Sequence, residues 1–113
     1  MKGKAANVSA QGISVTLEHQ QATVSLRGEH EAYTADKLAR QLGALIDENV
    51  SVTVDLTEAS FIDSTVVGVL IAARRRADER RLRFRLHLGE ETGWAVRRIL
   101  EVTGLEQQFE FVD

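Results

Sequence analysis

The sequence predicts a small α/β fold in which helices pack on a mostly parallel sheet. Segments in which every second residue is apolar, the period of a β-strand, come in turn with segments whose apolar residues recur at helical spacing. Strands that alternate with helices pair in parallel through right-handed crossovers. A length of 113 residues, with 43% apolar and 27% charged residues, is typical of one globular domain.

The first predicted elements are two strands that form one antiparallel hairpin. Apolar and polar residues alternate over 13–18 and again over 22–27, and residues 19–21 between them are polar and predict a turn. The preceding residues 1–11 are small and polar. We therefore expect a flexible N-terminus there and a single domain over 12–113.

The middle of the chain predicts a helix followed by a buried strand. A loop over 28–32 leads into an amphipathic helix over 34–48, for which Thr34 is the expected N-cap. The apolar, β-branched run 50–56 predicts a central strand that is covered on both faces. Residues 61–62 continue this strand into a short apolar loop.

A second helix is predicted to begin at Asp63, because short oxygen side chains accept hydrogen bonds from the free N–H groups of a first turn. The run 66–73 is apolar nearly all round, so we expect the first half of this helix to be buried. The order β-β-α-β-α-β-α-β is completed by three further elements and a cap: a strand over 83–88, a helix near 91–103, a left-handed C-cap at Gly104 and a closing strand over 109–112.

Several functional classes are excluded or disfavoured by composition. The chain has no cysteine, which excludes disulfides and thiol catalysis, and its three histidines fall in separate elements, which disfavours a metal site. No nucleotide-binding or nucleophile motif is present, so we expect no cofactor. No apolar stretch is long enough to span a membrane and no secretory signal is evident, so a cytoplasmic location is expected.

Half of the basic residues are arginines of the segment 74–85. Such a segment is either a patch for nucleic acid or an acidic partner, or a solvated helix end followed by a polar strand face. The second interpretation is favoured, because the formal net charge is -3 and a helix C-terminus attracts arginine. We therefore expect no direct binding of nucleic acid.

The triplet Asp63-Ser64-Thr65 is the most informative local motif. One interpretation is a helix cap and nothing more. The other is a phosphorylation site, because a phosphate on a hydroxyl in the first helical turn meets the positive end of the helix and free N–H donors. The modification would add about two negative charges to the surface.

Three stretches of the sequence, by their order and spacing along the chain, together resemble the STAS domain, the fold of anti-sigma factor antagonists. The first contains Gly28-Glu29-x-Glu31, and the third contains Leu100-x-x-Thr103-Gly104-Leu105. The second and most specific is Val54-Asp55-Leu56-Thr57 followed by Phe61-Ile62-Asp63-Ser64-Thr65-x-x-Gly68. The resemblance covers nearly the whole chain and implies a single STAS-type layer fold.

The resemblance also implies a non-enzymatic regulator. Such antagonists bind an anti-sigma factor that is also a serine/threonine kinase, and phosphorylation by that kinase ends the binding. The acceptor position falls on Thr65, with Ser64 as the fallback. The residues implied to bind the partner are Glu29, Glu31, Thr34, Asp63, Ser64, Thr65, Val66 and Gly68. A monomer or weak dimer is expected.

The sequence departs from the family pattern where Thr65 replaces serine, Val66 replaces glycine and Glu31 replaces aspartate. The β-branched Val66 favours an alternative, a STAS scaffold module in a larger signalling or transport assembly that is not phosphorylated, with Thr65 a simple cap. A small enzyme or nucleotide binder is a third possibility that the sequence leaves open.

Overall fold

Within residues 7–112, six strands form the main sheet, two more form a small second sheet, and three α-helices pack against them. A computed structural model describes residues 7–112. The elements of this range are β1 (Asn7–Ala10), β2 (Ile13–Glu18), β3 (Gln21–Leu26), β4 (Gly28–His30), α1 (Ala32–Asp47), β5 (Ser51–Asp55), β6 (Ala59–Ile62), α2 (Ser64–Glu79), β7 (Phe84–His87), α3 (Trp94–Val102), a 3₁₀ helix (Leu105–Gln107) and β8 (Glu110–Val112).

The main sheet has the strand order β1-β2-β3-β5-β7-β8. Strands β3, β5, β7 and β8 pair in parallel, and β2 pairs with β3 in the predicted antiparallel hairpin. This confirms the predicted fold class. Strand β1 adds a second antiparallel pairing, along the outer edge of β2. The expectation of a flexible stretch over 1–11 stays a prediction: residues 7–10 form this strand, and residues 1–6 lie outside the described range.

One face of the sheet carries the core, and the other is polar and open. Val24, Val54 and Leu86 occupy adjacent positions on three neighbouring strands, and all three are fully buried among the helices. On the opposite face, Thr23 and Thr53 remain exposed or half-exposed. The prediction that 50–56 is covered on both faces is thus wrong, because Thr53 has the β-branched shape of a buried strand residue without being buried.

The small second sheet pairs β4 with β6 in parallel, and its presence corrects two predictions. Residues 28–32 and 61–62 were expected to be loops, but Glu29 lies in register with Phe61 and His30 with Ile62. Strands of three and four residues are too short to show a period of two.

The start of α2 agrees with the prediction, and the starts of α1 and α3 differ from it by two or three residues. Helix α2 begins at Ser64, as predicted, whereas α1 begins at Ala32 rather than at residue 34, and its N-cap Glu31 forms no side-chain cap bond. Thr34 is therefore not the cap. Helix α3 begins at Trp94 rather than near 91, and Gly104 beyond its end has the predicted left-handed φ of 77°.

Helix α2 is buried on one side rather than all round. Val66, Leu70 and Ala73 are buried, but Gly68 and Ala72 between them are exposed. The expectation that the whole first half is buried is wrong for these small residues. Their exposure leaves a shallow surface between α1 and α2.

The arginine segment largely stabilises the fold. Arg80 donates hydrogen bonds to the carbonyl oxygens of Ile46 and Asp47, both at 3.1 Å, and so caps the C-terminus of α1. Arg74 lies over the ring of Phe109, 5.3 Å from its centroid. These contacts support the interpretation of a helix end and a strand face rather than a nucleic-acid patch.

Gly93 lies against β6 with no room for a side chain. A methyl group added there would lie 2.6 Å from the carbonyl oxygen of Ser60 and 2.8 Å from its Cα, and this backbone cannot rotate away. We expect Gly93→Ala to lower the free energy of unfolding by about 2 kcal/mol in urea denaturation.

Gly68→Ala is the matched control for this experiment, because a methyl group at residue 68 meets no atom within 4 Å. Its stability should be unchanged or higher by up to about 1 kcal/mol, since alanine is the better helix former. Equal stabilities of the two variants would contradict the close approach of Gly93 to β6.

Candidate functional site

The parallel pairing of β4 with β6 brings the starts of α1 and α2 together. Each strand ends two residues before a helix begins, so both helices leave the same edge of the small sheet. The backbone N–H of Asp63 donates to the carbonyl oxygen of His30 at 3.2 Å, which joins the two connections directly. The segments 29–34 and 63–68, which the sequence placed in one site, therefore do lie side by side.

Asp63 caps α2. Its backbone is extended, and its Oδ1 accepts a hydrogen bond from the N–H of Val66 at 3.0 Å. The carboxylate also lies at the positive end of the helix dipole, which stabilises a negative charge. The cap leaves Ser64 and Thr65 as the first two residues of a fixed helical turn.

The hydroxyl groups of Ser64 and Thr65 are open to solvent. Both residues are exposed, and within residues 7–112 no hydrogen bond engages either side chain. Since the cap function belongs to Asp63, Thr65 does not act as a simple cap.

A groove and a cleft flank the two hydroxyl groups. The groove, of about 360 Å³, lies between α1 and α2 and is lined by Thr65 together with small residues such as Gly43 and Gly68. The cleft, also of about 360 Å³, is apolar and lies between α2, β6 and α3, where Ser64 meets Trp94 and Val102. Thr65 and Ser64, which are neighbours on one helical turn, thus line two different depressions of the surface.

His30 is buried, with 1% of its surface exposed. Its Nε2 lies 3.1 Å from the carbonyl oxygen of Arg27, and its Nδ1 lies 3.0 Å from Oγ1 of Thr34. Because a carbonyl only accepts, we assign a ring proton to Nε2, and Nδ1 shares a hydrogen bond with the threonine hydroxyl, which also lies 3.4 Å from the carbonyl oxygen of Glu31. His30 thus fixes the path of the chain into α1.

Two of the predicted partner-binding residues have buried side chains. Val66 has no exposed surface and Thr34 only 8%. Their side chains hold α2 and α1 in place but do not lie on the exposed surface. The burial of Val66 also means that its β-branched side chain points away from the Thr65 hydroxyl and does not crowd it.

The exposed surface that remains is acidic. The pairing of β4 with β6 gathers a set of exposed or half-exposed residues at the starts of the two helices, and we call this set the switch surface. Its members are Glu29, Glu31, Asp63, Ser64, Thr65 and Gly68. Among the described residues, neither glutamate forms an ion pair. The two carboxylates therefore lie near the hydroxyl groups without a fixed counter-charge.

Exposed apolar side chains beside the switch surface were missed in the sequence. Trp94 is 77% exposed, Val102 61% and Phe61 37%, and all three line the apolar cleft. A third exposed aromatic residue, Tyr33, lies two residues after Glu31 in the chain. The sequence shows a tryptophan near the start of a predicted helix, which is a signal for an exposed aromatic side chain. The residues that surround Trp94 are brought to it only by the packing of α3 against β6.

Within residues 7–112, no group of three or more histidine, aspartate or glutamate side chains is arranged to hold a metal ion. No helix in the same range is both long and apolar enough to cross a membrane.

The family model described as "Mlab, STAS domain" matches residues 13–113. The chain belongs to the STAS domain family. It is 33% identical over 90 residues to the anti-sigma-B factor antagonists of Listeria monocytogenes and Listeria innocua, in each case covering 77% of this chain and 75% of the relative. The STAS fold and the similarity to anti-sigma factor antagonists that the sequence implied are thereby confirmed.

Solved structures show the same STAS fold. An anti-sigma factor antagonist from Mycobacterium paratuberculosis is similar with a TM-score of 0.75 at 25% identity, over 92% of this chain and 89% of that one. The anti-sigma factor antagonist SpoIIAA in its unphosphorylated form has a TM-score of 0.70 at 15% identity, over 89% and 87%. SpoIIAA in its phosphorylated form, described as a Bacillus cell fate determinant, also has a TM-score of 0.70 at 15% identity, over 89% and 91%.

The burial of His30 leads to a test of stability. We expect His30→Ala to lower the free energy of unfolding by about 3 kcal/mol, because it leaves a cavity and removes the partner of Thr34 and of the Arg27 carbonyl. His19→Asn is the matched control, since His19 is exposed and its φ of 53° suits asparagine. The control should stay within about 0.5 kcal/mol of the parent, and equal losses in thermal or urea unfolding would contradict the structural role of His30.

Proposed function

We propose that this STAS protein is an anti-sigma factor antagonist that docks an anti-sigma factor through the switch surface. The observation that carries the proposal is the free, exposed hydroxyl of Thr65 on a capped helix start beside two unpaired carboxylates. The names of the Listeria relatives support the same partner class. In this function the protein acts by binding, in the cytoplasm, and needs no cofactor of its own.

We further propose that the anti-sigma factor is a serine/threonine kinase and that it phosphorylates Thr65. The acceptor hydroxyl is exposed and makes no hydrogen bond within the described range, so the transfer would break no interaction of the fold. Ser64 is the fallback acceptor, since it is exposed on the same turn. The buried side chain of Val66 poses no obstacle to an approaching kinase.

The phosphate would act through charge at the interface rather than through the fold. It would add about two negative charges next to Glu29 and Glu31, where repulsion and desolvation oppose the docking of a partner that fits the unmodified surface. The positive end of α2 would at the same time stabilise the phosphate within this chain. SpoIIAA matches this fold with the same TM-score in its phosphorylated and unphosphorylated forms, which is consistent with a modification that leaves the fold intact.

A STAS scaffold that is not phosphorylated is the alternative function. The sequence feature that favoured it was Val66, whose side chain is buried. In this alternative Thr65 is only a helix cap, but Asp63 is the residue that caps α2. The observations therefore favour the switched antagonist.

The switch predicts a binding difference between two variants of Thr65. Thr65→Ala should bind the cognate anti-sigma factor as the parent does, whereas Thr65→Glu should bind about ten-fold more weakly or worse, because its carboxylate partly mimics the phosphate. Isothermal titration calorimetry measures both affinities.

Gln107→Glu is the matched control for charge, since residue 107 is exposed and lies in the 3₁₀ helix after α3, outside the switch surface. It should bind as the parent does. Equal binding by Thr65→Glu and Thr65→Ala would contradict the switch and favour the scaffold, whereas equal weakening by Thr65→Glu and Gln107→Glu would show an effect of net charge alone.

The apolar cleft predicts a second contribution to docking. Trp94→Ala should weaken binding of the anti-sigma factor by about thirty-fold, because exposed tryptophans that become buried dominate interface energies. The free protein should keep its stability, since Trp94 is 77% exposed. If the same calorimetric titration shows an unchanged affinity, the apolar cleft is not part of the interface, which then lies only on the side of Thr65 that faces α1.

A further inference from the structure

The open face of the main sheet carries a cleft on the opposite side from the core. About 300 Å³ in volume, it lies over β3, β5 and β7 and is lined mainly by polar side chains. Thr23, Thr53 and Arg85 are side by side in one row of the sheet, and Asp55 and His87 are side by side in the next. These residues are not part of the switch surface.

Arg85 lacks a partner in this cleft. Its Nε is buried without a hydrogen bond, and among the described residues no carboxylate forms an ion pair with it. Glu110 is its neighbour in register on β8, but that carboxylate binds Arg83 instead. The terminal nitrogens of Arg85 also form no hydrogen bond within the described range, so their donors are available to an anionic ligand in the cleft.

Other arginines on or beside this face are satisfied by the protein itself. Arg83 pairs with Glu110, and Arg27 pairs with Glu58 at 3.0 Å. Arg85 differs from them in being half-buried and unpaired. If this sheet face only contacted water, there would be no reason for one of its arginines to be half-buried and unpaired.

Asp55 supplies a fixed negative group in the same cleft. Its Oδ1 accepts hydrogen bonds from the N–H of Thr57 at 2.9 Å and from the hydroxyl of Thr57 at 2.6 Å. These bonds hold the carboxylate in place, and no hydrogen bond within the described range engages Oδ2. Arg85 and Asp55 are one row apart on adjacent strands and do not pair with each other.

We propose that this cleft binds a small carboxylic acid that carries a hydroxyl or ammonium group next to its carboxylate. The ligand carboxylate would accept hydrogen bonds from the guanidinium of Arg85, a geometry that suits a planar acid. The neighbouring hydroxyl or ammonium would donate to the free oxygen of Asp55. Asp55 disfavours a phosphate dianion in the same place, because like charges within a few ångströms repel.

The test is a titration of the full-length, ¹⁵N-labelled protein with acetate, lactate, alanine and inorganic phosphate, each near neutral pH and at constant ionic strength. We expect saturable shifts of the backbone amides of β3, β5 and β7 with lactate and alanine at millimolar concentrations. Acetate, which has no second donor, should bind about five-fold more weakly. No saturable shift with either lactate or alanine would overturn the proposal, and tighter binding of phosphate would overturn the ligand class.

Two variants and one control assign the binding to individual residues. Arg85→Gln should weaken lactate and alanine by about ten-fold or more, whereas Arg75→Gln, at an exposed arginine on α2, should not. Asp55→Asn keeps an oxygen for Thr57 and should reduce lactate and alanine to the affinity of acetate. Parent-like binding by Arg85→Gln would overturn the site.

Unchanged amide positions outside the cleft would show that each variant is folded. The proposed antagonist function does not depend on the outcome, because the switch surface lies at the helix starts and the cleft on the opposite side of the sheet.

Discussion

The parallel pairing of β4 with β6 is the constraint on which the rest of the site depends. It fixes where α1 and α2 begin, and the bond from the Asp63 N–H to the His30 carbonyl joins the two starts. The buried imidazole of His30 holds the same region from within, between Arg27 and Thr34. Without this pairing, the acidic residues near 30 and the hydroxyl groups near 64 would belong to separate parts of the chain.

The site combines a rigid base with a reactive, unbonded surface. Buried side chains, such as that of Val66, anchor the helix start, and the Asp63 cap satisfies its first turn. A hydroxyl on such a turn can change its charge without costing the fold a hydrogen bond. In the function that we propose, this division would let a modification alter what binds the protein while its stability stays nearly constant.

Local signals in the sequence were sufficient for some features and not for others. The start of α2 was predictable because Asp63 precedes a long apolar run, and the β2–β3 hairpin because its alternation spans six residues a strand. The strands β4 and β6 were not predictable, since a pairing between residues 28–30 and 59–62 is set by tertiary structure. The burial of His30 and the partnerless state of Arg85 follow from the same long-range packing, which no local pattern encodes.

The most direct measurement of the central claim is a phosphopeptide map of the protein after incubation with its cognate anti-sigma factor and ATP. The account predicts one phosphate per chain, on Thr65, with the far-ultraviolet circular dichroism spectrum unchanged. No phosphate, or a phosphate on a residue away from the start of α2, would contradict it.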